Sequence, residues 1–271
     1  MIGVFDSGIG GLSVWREIVR QLPYEPTVYL ADQAHVPYGS RGMAEVRALS
    51  EGVTRFLLGQ GAQVIVIACN TASAAALYYL RRTFPQIPFV GMEPAVKPAV
   101  ERTRSGVVGV IATPTTFQGE LFNSLLARYG GDARVIPQVC PGLVEAVESL
   151  ALETEGTEHL LRECLAPLLE AGADQLVLGC THYPFLRTAI ERVVAGRMAV
   201  IDPAPAVARQ TGRVLARRGL ASTGAEPATH RLYTTGDRDA FARTVARLMP
   251  DVAGVTVLPA RWADGASRID G

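Results

Sequence analysis

VIVIACNTAS (Val64–Ser73) and QLVLGCTHYP (Gln175–Pro184) decide the fold. Each carries a run of aliphatic residues to a cysteine, passes through polar residues that include a threonine, and enters a helical pattern. An apolar run without polar alternation suits a strand buried on both faces, and such strands belong to parallel sheets covered by helices. The echo between the two segments implies two related halves.

Outward from Val64 the same alternation holds. Before it, the pattern predicts strands at Ile2–Phe5 and Val28–Ala31. It predicts helices at Leu12–Leu22, with Leu12, Trp15, Ile18, Val19 and Leu22 on one face, and at Met43–Gln60, stopped by Gly61. After Val64–Ala68 come a helix at Ala72–Phe84 and a strand at Phe89–Met92. The series then restarts: strands at Val107–Ala112, Arg134–Val139, Gln175–Leu178 and Ala199–Ile201, with helices at Thr116–Tyr129, Gly142–Leu150, Thr157–Gly172 and Tyr183–Val194. A helix at Ala206–Arg218, a polar stretch Gly219–Thr229, and a strand, helix and strand at Arg231–Thr234, Ala240–Met249 and Val255–Leu258 complete the chain. The expectation is an α/β fold of two similar domains with mainly parallel sheets covered by helices and an active site in the cleft between them. The first domain takes 1–93 and 206–271 and the second 94–205, with boundaries near Glu93–Pro98 and Asp202–Pro205.

Composition fits. The 271 residues suit one large or two small domains. With 48% hydrophobic and 19% charged residues, the chain can build cores and is no candidate for disorder. Lys plus Arg and Asp plus Glu are both 26, so no cationic surplus points to nucleic acid. Leu57–Leu80 lacks charge, but Gly59-Gln60-Gly61, Gln63 and Cys69-Asn70-Thr71 interrupt it, so no membrane span is expected. Asp6 comes too early for a signal-peptide core, which points to the cytoplasm. There the four cysteines, 69, 140, 164 and 180, are expected as free thiols. None has CxxC or zinc-like spacing with the four histidines.

Open α/β sheets bind ligands beyond the carboxyl ends of their strands. Polar clusters stand at such ends: Asp6-Ser7-Gly8-Ile9-Gly10-Gly11, Pro37-Tyr38-Gly39-Ser40, Cys69-Asn70-Thr71 and Cys180-Thr181-His182. The glycine loop does not match a nucleotide fingerprint, and Asp6 at its mouth would repel phosphate. Asp6 suits an ammonium or an imidazolium, or caps a helix. Thr71 and Thr181 could cap helices, Tyr38 shape a turn, and His182 pack in a core. Cys69 and Cys180 each precede a helix start, where backbone N–H groups favour a thiolate. Cys140 and Cys164 suit structural positions. Two thiols facing each other across a cleft could take the α-proton of an amino acid from one face and return one to the other.

IGVFDSGIGGLSV, the Pro37-Tyr38-Gly39 turn, IACNTAS and LGCTHYP, in that order, resemble the glutamate racemases of the aspartate/glutamate racemase superfamily over nearly the whole chain. That resemblance implies an isomerase supplying D-glutamate for peptidoglycan, with no cofactor, neither pyridoxal phosphate nor metal, and with Cys69 and Cys180 as the acid/base pair. It implies substrate contacts at Asp6, Ser7, Tyr38, Gly39, Asn70, Thr71, Thr181 and His182. It also implies helper roles for Asp6 and His182 and for an auxiliary Glu148. Where the family often continues Glu-x-Gly, this chain has Glu148-Ser149-Leu150. The alternatives are an aspartate or other amino-acid racemase of the same superfamily, and a non-catalytic two-lobed carboxylate-binding module. Glutamate is the expected partner, without nucleic acid or membrane; a homodimer is left open.

Overall fold

The computed structural model describes residues 1–131, 133–224, 226–263 and 268–271. In chain order the elements are β1 (Ile2–Asp6), α1 (Leu12–Gln21), β2 (Thr27–Ala31), α2 (Met43–Gly59), β3 (Val64–Ile67), α3 (Asn70–Thr83), β4 (Phe89–Gly91) and α4 (Val96–Arg102). Then follow β5 (Val107–Ala112), α5 (Pro114–Gln118), α6 (Glu120–Tyr129), β6 (Arg134–Val139), α7 (Leu143–Glu148), α8 (Glu155–Glu170), β7 (Gln175–Gly179), α9 (Arg187–Val194) and β8 (Ala199–Ile201). Last are α10 (Ala204–Arg218), β9 (His230–Thr234), α11 (Arg238–Leu248), β10 (Val255–Pro259), β11 (Arg261–Ala263) and β12 (Arg268–Asp270).

The strands form one six-stranded sheet, ordered β10-β9-β2-β1-β3-β4, and one four-stranded sheet, ordered β6-β5-β7-β8; β11 and β12 make a small hairpin. Every pairing within the two large sheets is parallel. The chain leaves the first sheet after β4 and rejoins it through α10, which lies on α1, and through β9, which pairs with β2. In each sheet the strand order reverses once, between β1 and β3 and between β5 and β7. Connections run to opposite faces at such a point, so the strand ends splay and leave a crevice. Cys69 follows β3 and Cys180 follows β7, so each cysteine stands at the reversal of its own sheet.

β1, β2, β3 and β7 are buried along their whole length, as doubly covered strands must be. One apolar core continues from Val4, Trp15 and Tyr29 beneath the first sheet to Leu165, Leu176 and Ile190 beneath the second. Trp15 is fully buried and donates its indole N–H to Thr27 Oγ1 at 2.8 Å.

Three local expectations need correction. The helix expected over Thr116–Tyr129 is broken at Gly119, whose extended backbone lies so close to Ala74 of α3 that a Cβ would sit 2.8 Å from the Ala74 Cβ. The helix expected from Tyr183 starts as a 3-10 turn, Tyr183–Leu186. α4 lies across the expected domain boundary near Glu93–Pro98. Pro98 occupies its first turn, where a missing N–H costs nothing because no intrahelical acceptor exists there. Cys140 and Cys164 are also not free: the chain brings their Cα atoms to 5.4 Å and pairs their sulfurs, which ties the start of α7 to α8.

Candidate active site

Asp6 ends β1 and is completely buried. Its Oδ2 accepts the Gly8 N–H at 2.9 Å and its Oδ1 accepts the Thr181 hydroxyl at 3.0 Å, so the carboxylate bridges the two sheets. Burial pushes its pKa up, with His182 opposing. The glycines that follow serve close approach. A Cβ on Gly8 would occupy the place of the Glu148 carboxylate, and one on Gly10 the place of the His182 ring. The loop therefore receives side chains of the second sheet instead of a phosphate.

Glu148, the last residue of α7, is only 16% exposed. Its Oε1 accepts the Ile9 N–H at 2.8 Å and pairs with His182 Nε2 at 2.7 Å. Its Oε2 lies 3.5 Å from the Gln33 amide. A carboxylate can only accept, so His182 carries a proton on Nε2 and turns Nδ1 toward Cys180 Sγ, 3.6 Å away. Burial works against a charged imidazole, but the bonds to Cys180 and Glu148 outweigh it and raise the His182 pKa well above the ordinary histidine range. Burial likewise opposes the Glu148 carboxylate, and His182 with the Ile9 N–H brings its pKa below the usual range.

Cys69 is held differently. Its sulfur caps α3 by accepting the Ala72 N–H at 3.4 Å. The helix terminus was expected to favour a thiolate here. Instead, burial and then the Asp6 charge push the Cys69 thiol far up, despite that N–H. Cys69 and Cys180 are both free, both buried, and close enough for the Cys180 charge to act on Cys69. Next to Cys69, Asn70 is buried with both amide atoms unpartnered. Such a group is costly unless a ligand supplies its hydrogen bonds.

Of the other residues singled out from the sequence, Ser7, Tyr38, Gly39 and Thr71 are each tied by hydrogen bonds to neighbouring strand ends and loops. Thr71 meets Thr113 hydroxyl to hydroxyl at 2.9 Å, and Thr113 meets Thr116 at the same distance. The Thr115 hydroxyl donates to the Gly39 carbonyl at 3.0 Å. The Tyr38 hydroxyl donates to Asp32 at 2.6 Å, and Ser7 lies beside Asp6. Thr113, Thr115, Thr116, Gln33 and the Ile9 N–H were not foreseen. A signal existed for the threonines, since TPTT follows the strand VVGVIA and is a fifth polar cluster at a strand end. Among the described residues, no group of three or more His, Cys, Asp or Glu side chains is gathered as a metal site. Among the same residues, no helix is long and apolar enough to cross a membrane.

Residues 2–211 match the model of the Asp/Glu/Hydantoin racemase family. A glutamate racemase of Roseiflexus sp. (strain RS-1) is 50% identical over 248 residues, 91% of each chain. The crystal structure of glutamate racemase isoform RacE1 from Bacillus anthracis superposes with a TM-score of 0.86 at 33% identity, covering 95% of this chain and 97% of that one. Escherichia coli glutamate racemase, solved with L-glutamate and the activator UDP-MurNAc-Ala, gives a TM-score of 0.82 at 29% identity, covering 95% and 98%. Two parallel sheets joined through Asp6–Thr181 and Ile9–Glu148, a glycine loop shaped for Glu148 and His182, and a match along most of the sequence have one common source: the chain belongs to the Asp/Glu/Hydantoin racemase family.

Proposed function

We propose that the protein interconverts L- and D-glutamate with Cys69 and Cys180 as its two acid/base groups and without a cofactor, supplying D-glutamate for peptidoglycan. The observation that carries the reading is the pair of free, buried cysteines at the strand-order reversals of two sheets, each with its own polar partners. The names of the similar proteins support glutamate as the substrate.

In the forward direction, the Cys180 thiolate takes the α-proton of L-glutamate and becomes a thiol. The electron pair left on Cα delocalises into the α-carboxylate, and the Cys69 thiol protonates the opposite face and becomes a thiolate. The reverse direction exchanges the roles. Burial and the Asp6 charge shift Cys69 toward its thiol form, which suits a donor poised for L-glutamate. His182, braced by Glu148, stabilises negative charge on Cys180. The bare Asn70 amide and the hydroxyls of Thr71, Thr113, Thr116 and Thr181 suit carboxylates. Asp6 with Ser7 suits the ammonium, which would in turn offset the Asp6 charge beside Cys69. Gly39 and its neighbour Tyr38 form the wall. The same reading divides the chain into lobes of 1–93 with 206–271 and 94–205; the split of the strands into two sheets supports it.

Incubating purified protein with L- or D-glutamate in deuterated water tests the reading, with NMR following the Cα–H signal and chiral chromatography the products. Both enantiomers should reach a racemate with deuterium at Cα and without added pyridoxal phosphate. Absence of exchange, or activity only with the added cofactor, overturns it.

A further inference from the structure

We propose that Asp32 and the C-terminal Trp262 are positioning residues, which hold Tyr38 and the Gly39 backbone against the substrate on the Cys69 side of the cleft. The inference rests on the racemase reading above. Asp32 directly follows β2 and is completely buried, with no lysine or arginine beside it. A buried carboxylate is tolerated only where its lone pairs are filled. Four side chains fill them: the Tyr38 hydroxyl at 2.6 Å, the Trp262 indole N–H at 2.6 Å, the Thr235 hydroxyl at 2.8 Å and His35 Nδ1 at 3.0 Å. These donors belong to the loop after β2, the loop after β9, and β11. One carboxylate thus gathers three separate stretches of chain, the last only nine residues from the C-terminus.

Two consequences bear on the substrate. The Tyr38 hydroxyl spends its proton on Asp32, so it does not donate into the cleft. Tyr38 then serves through its buried ring and through the backbone it shares with Gly39, whose carbonyl is held by Thr115 of α5, just after β5. Trp262 also packs edge-on against His35, at 5.3 Å between ring centroids, which closes the outer side of the cluster. If Trp262 is lost, Asp32 loses one of its four donors. Tyr38 is then free to turn, and the Gly39 carbonyl shifts with it.

The test combines kinetics with indole NMR. Trp262→Phe should raise KM for both glutamate enantiomers about 10-fold while kcat changes little, as expected for one charge-assisted hydrogen bond felt through substrate binding. Asp32→Asn should lose about 100-fold in kcat/KM. On a Tyr38→Phe background, Trp262→Phe should cost less than about 3-fold, because the two residues act through one carboxylate. The protein has two tryptophans. In ¹H–¹⁵N spectra, the Trp262 indole signal should move on adding D-glutamate and move strongly in Asp32→Asn, while that of Trp15, bonded to Thr27, stays in place. Unchanged KM in folded Trp262→Phe, fully additive losses, or a Trp262 signal indifferent to Asp32→Asn would each overturn the proposal. If wild-type protein fails to racemise glutamate, the functional reading fails instead, and the Asp32→Asn indole shift still decides whether the cluster exists in solution. Should Asp32→Asn fail to fold, the half-buried Trp262→Phe carries the test.

Discussion

The two cysteines come from matching sequence units and end up in unlike surroundings. Cys69 has a backbone N–H and the nearby Asp6 charge, and burial pushes its pKa up. Cys180 has a histidine braced by a glutamate and stands before a short 3-10 turn rather than a full helix. A two-base racemase of a mirror-image pair needs symmetry only in where the protons sit, above and below Cα. How each thiol is tuned is free to differ. This difference teaches that a repeated motif predicts placement better than it predicts protonation.

The largest effect expected is the loss of both thiol roles together. Cys69→Ala or Cys180→Ala should each lower racemisation by about 10³-fold or more in both directions, since every turnover uses both groups. Chiral chromatography from each enantiomer checks it. Retained racemisation in one direction would break the comparison at its root.

His182→Asn comes next. It should reduce kcat/KM about 10- to 100-fold. The loss must be equal in the two directions, because the equilibrium constant of an enantiomer pair ties them. The kcat loss should be larger from L- to D-glutamate, the direction in which Cys180 is the base. Gly10→Ala, which forces a Cβ onto the same ring, should follow the same pattern, while Gly42→Ala, with open space around it, should not. Equal kcat losses both ways would remove His182 as a helper of one thiol.

The pH dependence of stability sharpens the contrast further. The His182 pKa is raised by folding, so its contribution is complete below the ordinary histidine pKa and fades as pH rises through the raised folded value. The Glu148 pKa is lowered, so its contribution is present above the ordinary carboxylate range and fades as pH falls through the lowered folded value. The Tm difference between wild type and His182→Asn should therefore peak in mildly acidic solution and shrink toward both extremes. A difference that grows steadily with pH would contradict the ion pair.

The smallest effect lies just beyond Glu148. Leu150, where the family resemblance suggests glycine, adopts a left-handed conformation with φ of 57°. That costs a residue with a Cβ about 1–2 kcal/mol. Leu150→Gly relieves it but gives up a partly buried side chain, so stability should change by less than about 1 kcal/mol, with turnover intact. Chemical denaturation and a standard assay check both. A large loss of turnover would show that the end of α7 sets the Glu148 geometry more tightly than its contacts suggest.

Much was determined by sequence alone: the βα alternation, and the buried strands that lead to Cys69 and Cys180. These are local matters, since hydrophobic period is legible within a dozen residues. Other features depended on which distant segments meet. Gly8 and Gly10 are glycines because Glu148 and His182 arrive there from the other sheet. Asp32 is a hub because Trp262 and Thr235 reach it from the far end of the chain. Cys140 and Cys164 pair because α8 passes the start of α7. The upward shift of the Cys69 pKa follows from burial and from the charge of Asp6, neither visible in a helix N-terminus read alone. Desolvation and electrostatics depend on distance in space, and only the tertiary structure supplies those distances.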